Sequence, residues 1–134
     1  MNAALDRLHC HATDHGLPFD RAWLAPLDRI LGLLQRFSSR TNLVGSADAA
    51  AVADEHLLET LVAIDVAARA GLGPPACVID VGSGAGLEAL LMALAWPDAR
   101  VIAVEPRRRR ADFIEIAADA AGVDSLLTET ASTF

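Results

Sequence analysis

The sequence predicts an α/β protein in which an α-helical amino-terminal segment precedes part of a parallel sheet, in the order β-α-β-α-β. Residues before the Gly- and Pro-rich joint at 71–75 carry apolar side chains at helical spacing. After the joint, two short β-rich apolar runs at 76–81 and 100–104 alternate with helical stretches. We therefore divide the chain into residues 1–73, a helical segment that packs on the sheet, and residues 74–134, the first half of a doubly wound domain.

Three helices are predicted in the first segment. Residues 3–15 form a helix that Gly16 ends, and a second helix follows Asp20, a common N-cap residue, with a new turn or kink at Pro26. The apolar residues of this second helix lie three or four positions apart, which predicts one buried stripe. The stripe consists of Leu27, Ile30, Leu31, Leu34 and Phe37. The third helix runs from about Ala47 to Ala70.

The second segment contains the predicted sheet. Residues 76–81 predict a strand that is buried on both faces, and residues 100–104 predict a second buried strand. Helices are predicted at 87–95 and 107–121, and a weaker third strand at 125–130. Strands and helices that alternate in this way are typical of a parallel sheet with right-handed crossovers.

Composition limits the class of protein. With 134 residues, of which 53% are hydrophobic and 22% charged, the chain is long and apolar enough for one folded domain. A net charge of −7 argues against a broad nucleic-acid-binding face, although the basic block Arg107–Arg110 permits a local phosphate or RNA contact. Aromatic residues make up only 4%, which disfavours a stacking platform for single-stranded nucleic acid.

The sequence favours a cytoplasmic location. No apolar stretch is long enough to span a bilayer, so no membrane partner is expected, and the amino terminus does not resemble a signal peptide. Cys10 and Cys77 are too few for a disulfide framework. One bridge is possible, but a reduced intracellular protein is the simpler interpretation.

The most informative motif is Asp80-Val81-Gly82-Ser83-Gly84-Ala85-Gly86-Leu87, between a predicted strand and a predicted helix. Glycines at this point let a ligand approach the backbone, and the helix after them offers unpaired N–H groups. Glu105 ends the next strand, 23 residues after Gly82, where an acidic side chain can accept both hydroxyls of a ribose. The candidate ligand-binding residues are Asp80, Gly82, Gly84, Gly86, Leu87 and Glu105.

The spacing of the glycines narrows the choice of ligand. A dinucleotide fingerprint needs G-x-G-x-x-G, whereas this chain has G-x-G-x-G, with Leu87 at the position of the third spaced glycine. The pattern acid-x-G-x-G-x-G resembles the first motif of the class I S-adenosylmethionine-dependent methyltransferases, which have a Rossmann-like sheet. In such a site Asp80 could hold the ammonium group of the cofactor, directly or through water. The alternative is a tight turn in an α/β domain that binds nothing.

Further matches make the resemblance specific to one family, the RsmG/GidB methyltransferases. They occur in order over about residues 20–125. Residues 42–44 (Asn-Leu-Val) and 56–61 (His-Leu-Leu-Glu-Thr-Leu) resemble the NLT and HILDSL patterns of that family. The glycine turn resembles DVGSGAGLPG, residues 96–98 (Trp-Pro-Asp) resemble RPD, and residues 104–113 resemble VE…KRxxFL.

The resemblance implies an S-adenosylmethionine-dependent enzyme that methylates N7 of a guanine in the 16S rRNA of the small ribosomal subunit. It places Gly82 and Leu87 on cofactor-binding positions and Glu105 on the acidic position that binds ribose. Arg109 and Arg110 fall where the family has a Lys-Arg pair near the RNA-facing edge. Guanine N7 has no proton to lose before it attacks, so positioning supplies most of the acceleration, and neither a catalytic side chain nor a metal is expected.

The chain departs from the family pattern in two ways. Glu88-Ala89 stands where the family has Pro-Gly, and the sequence stops before the strands that complete the family's fold. The family's adenine contacts would be missing or degenerate around residues 132–134. A second hypothesis is therefore a truncated, noncatalytic remnant that acts as a binding or interaction module and associates through an exposed strand edge. A third is a small-molecule methyltransferase on the same half fold.

Three groups of side chains leave alternatives open. Near the amino terminus, histidines and a cysteine could bind a metal, but surface histidines are the simpler interpretation. This cluster consists of His9, Cys10, His11 and His15. The Arg107–Arg110 block is either a solvated helix start or a phosphate contact. His56 is either a site residue, as the family pattern implies, or a histidine packed over the edge of the sheet.

Overall fold

The computed structural model describes residues 2–40 and 43–130, which form an α/β fold. The helices are α1 (Ala3–Asp14), α2 (Leu24–Ser38), α3 (Ala49–Val52), α4 (Leu58–Arg69), α5 (Leu87–Ala95) and α6 (Arg108–Ala120). The strands are β1 (Cys77–Val81), β2 (Arg100–Val104) and β3 (Leu126–Glu129). A 3₁₀ turn, Arg21–Trp23, precedes α2, and a π-helical turn, Ala53–Leu57, joins α3 to α4. The helical first segment and the β-α-β-α-β order are thus confirmed.

The three strands form one parallel sheet, in the order β1-β2-β3 across the described part of the chain. Val81 pairs with Val104, and Val104 pairs with Glu129, so the carboxyl ends of the strands align. The crevice at the carboxyl ends of parallel strands is where such sheets bind ligands. This register therefore brings the glycine turn, which follows β1, beside Glu105, which follows β2.

One hydrophobic core contains residues from both predicted segments. The buried stripe predicted for α2 supplies four fully buried residues: Leu27, Ile30, Leu31 and Leu34. The second segment supplies residues that are equally buried: Leu87, Leu90, Leu91, Phe113 and Ile114. Each such side chain contributes roughly 1.5–3 kcal/mol through burial. The division of the chain at residues 73 and 74 stays a prediction. Within the described ranges, none of the helices has the length and apolar character that crossing a bilayer requires.

Phe37 is the exception in the predicted buried stripe. It is 37% exposed, because it lies in the last turn of α2, at the margin of the core. Its ring packs against Phe113 in an edge-on geometry, with 5.9 Å between the ring centroids. The helical spacing predicts full burial of this position, and that prediction is wrong.

The first strand, β1, also differs from its prediction. The sequence predicts burial on both faces, but Ile79 is 61% exposed and Val81 is 67% exposed. The reason is position: among the described residues β1 is an edge strand, whereas α5 packs on β2 and α6 packs on β3. The prediction of two buried faces is therefore wrong for β1, and a row of β-branched side chains lies open.

The predicted third helix contains a π-helical turn that the sequence does not reveal. Val52 and Leu57 lie five positions apart, and both are fully buried. The wider π turn, Ala53–Leu57, lets residues at this spacing face the same core, which a regular α-helix does not. The hydroxyl of Thr60 donates to the backbone oxygen of His56 at 2.8 Å, which steadies the turn. His56 is thereby directed toward the edge of the sheet that carries the glycine turn.

Candidate functional site

The glycine turn is held by the end of the neighbouring strand. The backbone N–H groups of Gly82 and Ser83 both donate to the carbonyl oxygen of Val104, at 2.8 and 3.1 Å. Gly86 has a φ of 81°, and a Cβ atom at this position would lie 2.5 Å from Cγ1 of Ile114. Ile114 is fully buried, so relief of this contact would require its side chain to shift within the core. Glycine is therefore required at position 86 by packing between α5 and α6, in addition to backbone conformation.

Glu105 fastens the same turn through its side chain. It is only 4% exposed, and Oε1 accepts a hydrogen bond from the backbone N–H of Gly84 at 3.0 Å. Oε2 accepts from the backbone N–H of Arg107 at 2.8 Å. One carboxylate thus ties the loop after β1 to the loop after β2. Each carboxylate oxygen can accept a second hydrogen bond, so these contacts leave capacity for the hydroxyls of a ligand.

A cavity of about 340 Å³ lies over the turn. It is lined by the turn, the start of α5, the loop at residues 43–45, and single residues from the π turn and α6. Of the residues predicted to bind ligands, the cavity wall includes Asp80, Gly82, Gly84, Leu87 and Arg110. The others lie outside the wall: Gly86 and Glu105 support the turn, and Arg109 is exposed on α6. Residues 132–134, where the family's adenine contacts are expected to be missing or degenerate, lie outside the described residues, as does the match at Asn42.

Asp80 presents an unsatisfied acceptor at this cavity. Its Oδ2 atom is buried, and no partner for it exists among the described residues. Burial raises the pKa of this carboxyl above its ordinary value of 3.8, the nearby hydroxyl of Ser83 lowers it, and the negative charge of Glu88 raises it further. In the structure that hydroxyl donates to the backbone oxygen of Asp80 at 2.8 Å. A buried carboxylate without a partner is costly unless a cation or a donor joins it. Asp80 is therefore suited to a positively charged ligand group.

Glu88 and His56 form a pair that sequence reasoning missed. Nδ1 of His56 lies 2.7 Å from Oε1 of Glu88, and the two side chains are 29% and 38% exposed. Both residues line the cavity. They are 32 positions apart, so no helical or strand spacing could indicate their contact. The available signals are that Glu88 departs from the pattern of the family that the sequence resembles and that His56 lies at a position which this pattern implies is a site residue.

A second cavity, of about 640 Å³, lies away from the glycine turn. It is formed between α1 and the start of the α3–π–α4 helix. Although Cys10 and His11 line it, no group of three or more His, Cys, Asp or Glu side chains placed to hold a metal occurs within 2–40 and 43–130. The ring of His11 instead stacks against that of His15, with 4.2 Å between centroids.

We expect Asp80→Asn to stabilise the ligand-free chain and to weaken ligand binding. Because the folded-state pKa of Asp80 exceeds 3.8, the folded chain binds a proton more tightly than the unfolded chain. The free energy of unfolding of the wild-type chain therefore decreases as the pH rises from the ordinary pKa of Asp80 through its folded-state pKa. Asp80→Asn cannot titrate at this position, so this decrease is absent in the variant. The gain near pH 7 should be at most about 1 kcal/mol, since the side chain is partly screened by solvent.

Urea denaturation at several pH values checks this expectation. Asp98→Asn is the matched control, because Asp98 is exposed and lies outside the cavity wall. The control should change the free energy of unfolding by less than about 0.5 kcal/mol at every pH. If the difference in the free energy of unfolding between Asp80→Asn and the wild-type chain does not grow between acid and neutral pH, the role given to Asp80 is contradicted.

Comparison with known proteins places the chain in a family. Residues 24–130 match the family model GidB, described as rRNA small subunit methyltransferase G. "Ribosomal RNA small subunit methyltransferase G" of Rhizorhabdus wittichii is 30% identical over 81% of this chain and 48% of its own length. The protein of the same name from Leptothrix cholodnii is 33% identical over 85% of this chain and 52% of its own. That of Salinispora arenicola is 43% identical over 62% of this chain and 32% of its own.

The matches cover most of this chain but only part of the relatives. The chain spans about half the length, or less, of the curated relatives it matches. Among solved structures, coclaurine N-methyltransferase aligns with a TM-score of 0.49 at 18% identity, over 94% of this chain and 42% of its own. The family model, in contrast, covers most of the chain and includes the glycine turn, Glu105 and the Arg107–Arg110 block. The chain therefore belongs to the GidB family, the rRNA small subunit methyltransferase G proteins.

Proposed function

We propose that this chain binds S-adenosylmethionine over the glycine turn and takes part in methylation of a guanine N7 in 16S rRNA. The observation that carries the proposal is the buried Oδ2 atom of Asp80, which has no partner within the described ranges. Asp80 is a wall residue of the cavity, together with Gly82, Gly84 and the start of α5. Membership of the GidB family supplies the reaction class and the rRNA substrate.

The residues present fit an amino-acid-bearing nucleoside cofactor. The cavity of about 340 Å³ is within the range of small-molecule sites, which begins near 300 Å³. Asp80 offers the open acceptor to an ammonium group. No side chain of the described residues caps the start of α5, so the N–H groups of its first turn are available to a carboxylate or hydroxyl. The ammonium group of an amino acid can thus pair with Asp80, and its carboxylate can pair with the N–H groups of the first turn of α5.

The protein's part in the reaction is to position two reactants. The cofactor supplies a methyl group on a positively charged sulfur, which is already a good leaving group. Asp80 and the glycine turn hold the donor, and Glu105 keeps the turn in shape through its bonds to Gly84 and Arg107. Guanine N7 attacks with its own lone pair, so the chain needs no general base. Fixed orientation is the main source of acceleration in such a reaction.

The basic start of α6 is suited to the phosphates of an RNA. Arg107, Arg108 and Arg109 are exposed, and Arg110 is partly buried at the cavity wall. Cations at a helix amino terminus oppose the helix dipole, so helix stability does not account for them. They follow β2 at the same edge of the sheet as the glycine turn. An RNA held there would present a base close to the cavity, and we therefore assign Arg109 and Arg110 to RNA binding.

Calorimetric titration with S-adenosylmethionine tests cofactor binding. We expect the wild-type chain to bind and Gly82→Val to weaken binding at least about tenfold, because a side chain at Gly82 would enter the space that the ligand needs. Gly122→Val is the matched control. Both glycines have a φ of 71°, and a Cβ atom added at either would meet no described atom within 4 Å, but only Gly82 lines the cavity. The strain is the same in both variants, so only Gly82→Val should lose ligand.

Absence of heat at millimolar cofactor, with the chain folded, would overturn cofactor binding. The reaction is tested separately by transfer of a labelled methyl group to small subunits that lack the modification. Digestion of the rRNA to nucleosides should then yield labelled 7-methylguanosine. Label in a mixture of metabolites, but not in subunits, would favour a small-molecule substrate instead.

A noncatalytic binding module is the second candidate, and the open face of β1 favours it. Ile79 and Val81 are both more than 60% exposed on a strand that has no outer neighbour among the described residues. Exposed apolar strands at a sheet edge promote association. Cofactor binding without methyl transfer, together with a dimer in light scattering, would favour this candidate over the enzyme.

A further inference from the structure

The cavity contains a second carboxylate whose position is fixed by another side chain. Glu88 lies in the first turn of α5, and its Oε1 atom is 2.7 Å from Nδ1 of His56. A carboxylate only accepts hydrogen bonds, so Nδ1 carries the proton and donates it to Glu88. The glutamate is thereby held at the cavity wall.

His56 is itself held by local structure. It belongs to the π-helical turn Ala53–Leu57, and the hydroxyl of Thr60 bonds to its backbone oxygen at 2.8 Å. Its neighbour Leu57 is fully buried, which anchors the turn in the core. π-Helical turns in α-helices often occur at functional sites. Because the segment holds His56 in place, the hydrogen bond from Nδ1 of His56 to Oε1 of Glu88 also restrains the side chain of Glu88.

The charges around the cavity favour a cation. Asp80 and Glu88 line it together and are close enough for the charge of Glu88 to raise the pKa of Asp80. The other titratable or charged groups at the wall are His56, which is bonded to Glu88, and Arg110 on α6. Two carboxylates and one guanidinium therefore act on any ligand that enters, so negative groups outnumber positive ones, and the first turn of α5 favours a negative charge at Glu88.

We propose that Glu88, positioned by His56, makes this cavity distinguish a positively charged sulfonium cofactor from the neutral thioether that remains after methyl transfer. The inference rests on the proposed function and assigns a specificity-determining residue to the same site. In the transfer, the lone pair of guanine N7 forms the new bond to the methyl carbon. The electron pair of the broken carbon–sulfur bond stays on sulfur, so the positive charge leaves sulfur and appears on the guanine ring that is now methylated at N7. The thioether is then no longer attracted to Glu88, and it is released more readily.

The test compares the dissociation constants of S-adenosylmethionine and S-adenosylhomocysteine for each variant. Glu88→Gln keeps the shape of the side chain and removes its charge. We expect affinity for the sulfonium to fall about five- to tenfold and affinity for the thioether to change less than about twofold. Glu59→Gln is the matched control, since it removes the same charge from an exposed position outside the cavity. It should leave the ratio of the two constants unchanged.

Variants of His56 test the positioning role. His56→Ala removes the donor of the hydrogen bond to Glu88. The affinity for S-adenosylmethionine relative to S-adenosylhomocysteine should then fall part of the way toward the value for Glu88→Gln. His56→Asn restores an N–H group near the place of Nδ1 and should recover the wild-type ratio. A merely structural role would change stability and both affinities together, without altering their ratio. Circular dichroism confirms that each variant is folded before its affinities are compared.

The outcomes separate this inference from the function on which it rests. If the wild-type chain binds neither ligand, both proposals are overturned. If it binds both ligands and Glu88→Gln leaves their ratio unchanged, cofactor binding stands and the role of Glu88 is overturned. If Glu88→Gln lowers the ratio but His56→Ala does not, Glu88 acts without help from His56, and the positioning role is overturned.

Discussion

Gly86→Ala should lower the free energy of unfolding by about 2–5 kcal/mol. About 1–2 kcal/mol arises because an L-residue is strained at the φ of 81° found here. The rest arises from overpacking, which costs about 1–3 kcal/mol in a dense core. The added Cβ would lie 2.5 Å from Cγ1 and 3.0 Å from Cδ1 of Ile114, a side chain with no exposed surface. Chemical denaturation followed by circular dichroism measures the loss.

Two companion variants separate strain from crowding. Gly84→Ala also has a left-handed backbone, with a φ of 59°, but its Cβ would meet no described atom within 4 Å. It should therefore cost only the strain, about 1–2 kcal/mol. In the double variant Gly86→Ala with Ile114→Ala, the crowding atoms are gone, so the total loss should be smaller than the sum of the single losses. Additive losses would contradict the contact between position 86 and Ile114.

Glu105→Gln should be comparably damaging, to stability and to ligand binding together. Each oxygen of the carboxylate accepts a backbone N–H, from Gly84 and from Arg107. Glutamine has one acceptor and one donor at these places, so one buried N–H group would face another donor. The expected loss is about 1.5–3 kcal/mol, the usual range for a buried hydrogen bond to a charged group. The released turn should also lose cofactor affinity, measured by calorimetry.

Glu129→Gln provides the control for Glu105→Gln. Glu129 ends the neighbouring strand β3 but is exposed, and its backbone oxygen, not its side chain, accepts from the N–H of Glu105 at 2.9 Å. The same change of charge should therefore alter the free energy of unfolding by less than about 0.5 kcal/mol. Equal denaturation midpoints for the two variants would show that Glu105 does not fasten the turn.

The order of elements can be predicted because each signal is local. The glycine turn between an apolar run and a helical stretch predicts strand, turn and helix from a few adjacent residues. The burial of β1 cannot be predicted, because the pattern of Ile79 and Val81 is the same whether or not another element covers them. The π turn cannot be predicted either, since Ala-rich residues suit a regular α-helix and only the core decides the spacing of Val52 and Leu57.

The candidate site can be predicted in part for the same reason. Asp80, Gly82 and Gly84 are wall residues of a cavity, because the turn places them there whatever surrounds it. The contact of His56 with Glu88 depends on how two distant helices pack, which spacing along the chain does not encode. The motif assigns Gly86 to the ligand, whereas its lack of a side chain makes room for Ile114. Whether the named residues bind S-adenosylmethionine stays a prediction.

The carbonyl oxygen of Val104 and the carboxylate of Glu105 each accept two hydrogen bonds, and this limits how the loops after β1 and β2 can open. Val104 accepts from Gly82 and Ser83, and Glu105 bridges Gly84 and Arg107, so the loops after both strands share their fastenings. Neither loop can detach alone without leaving buried polar groups unsatisfied in the other. We therefore expect the floor of the cavity and the basic start of α6 to open together, as one cooperative unit.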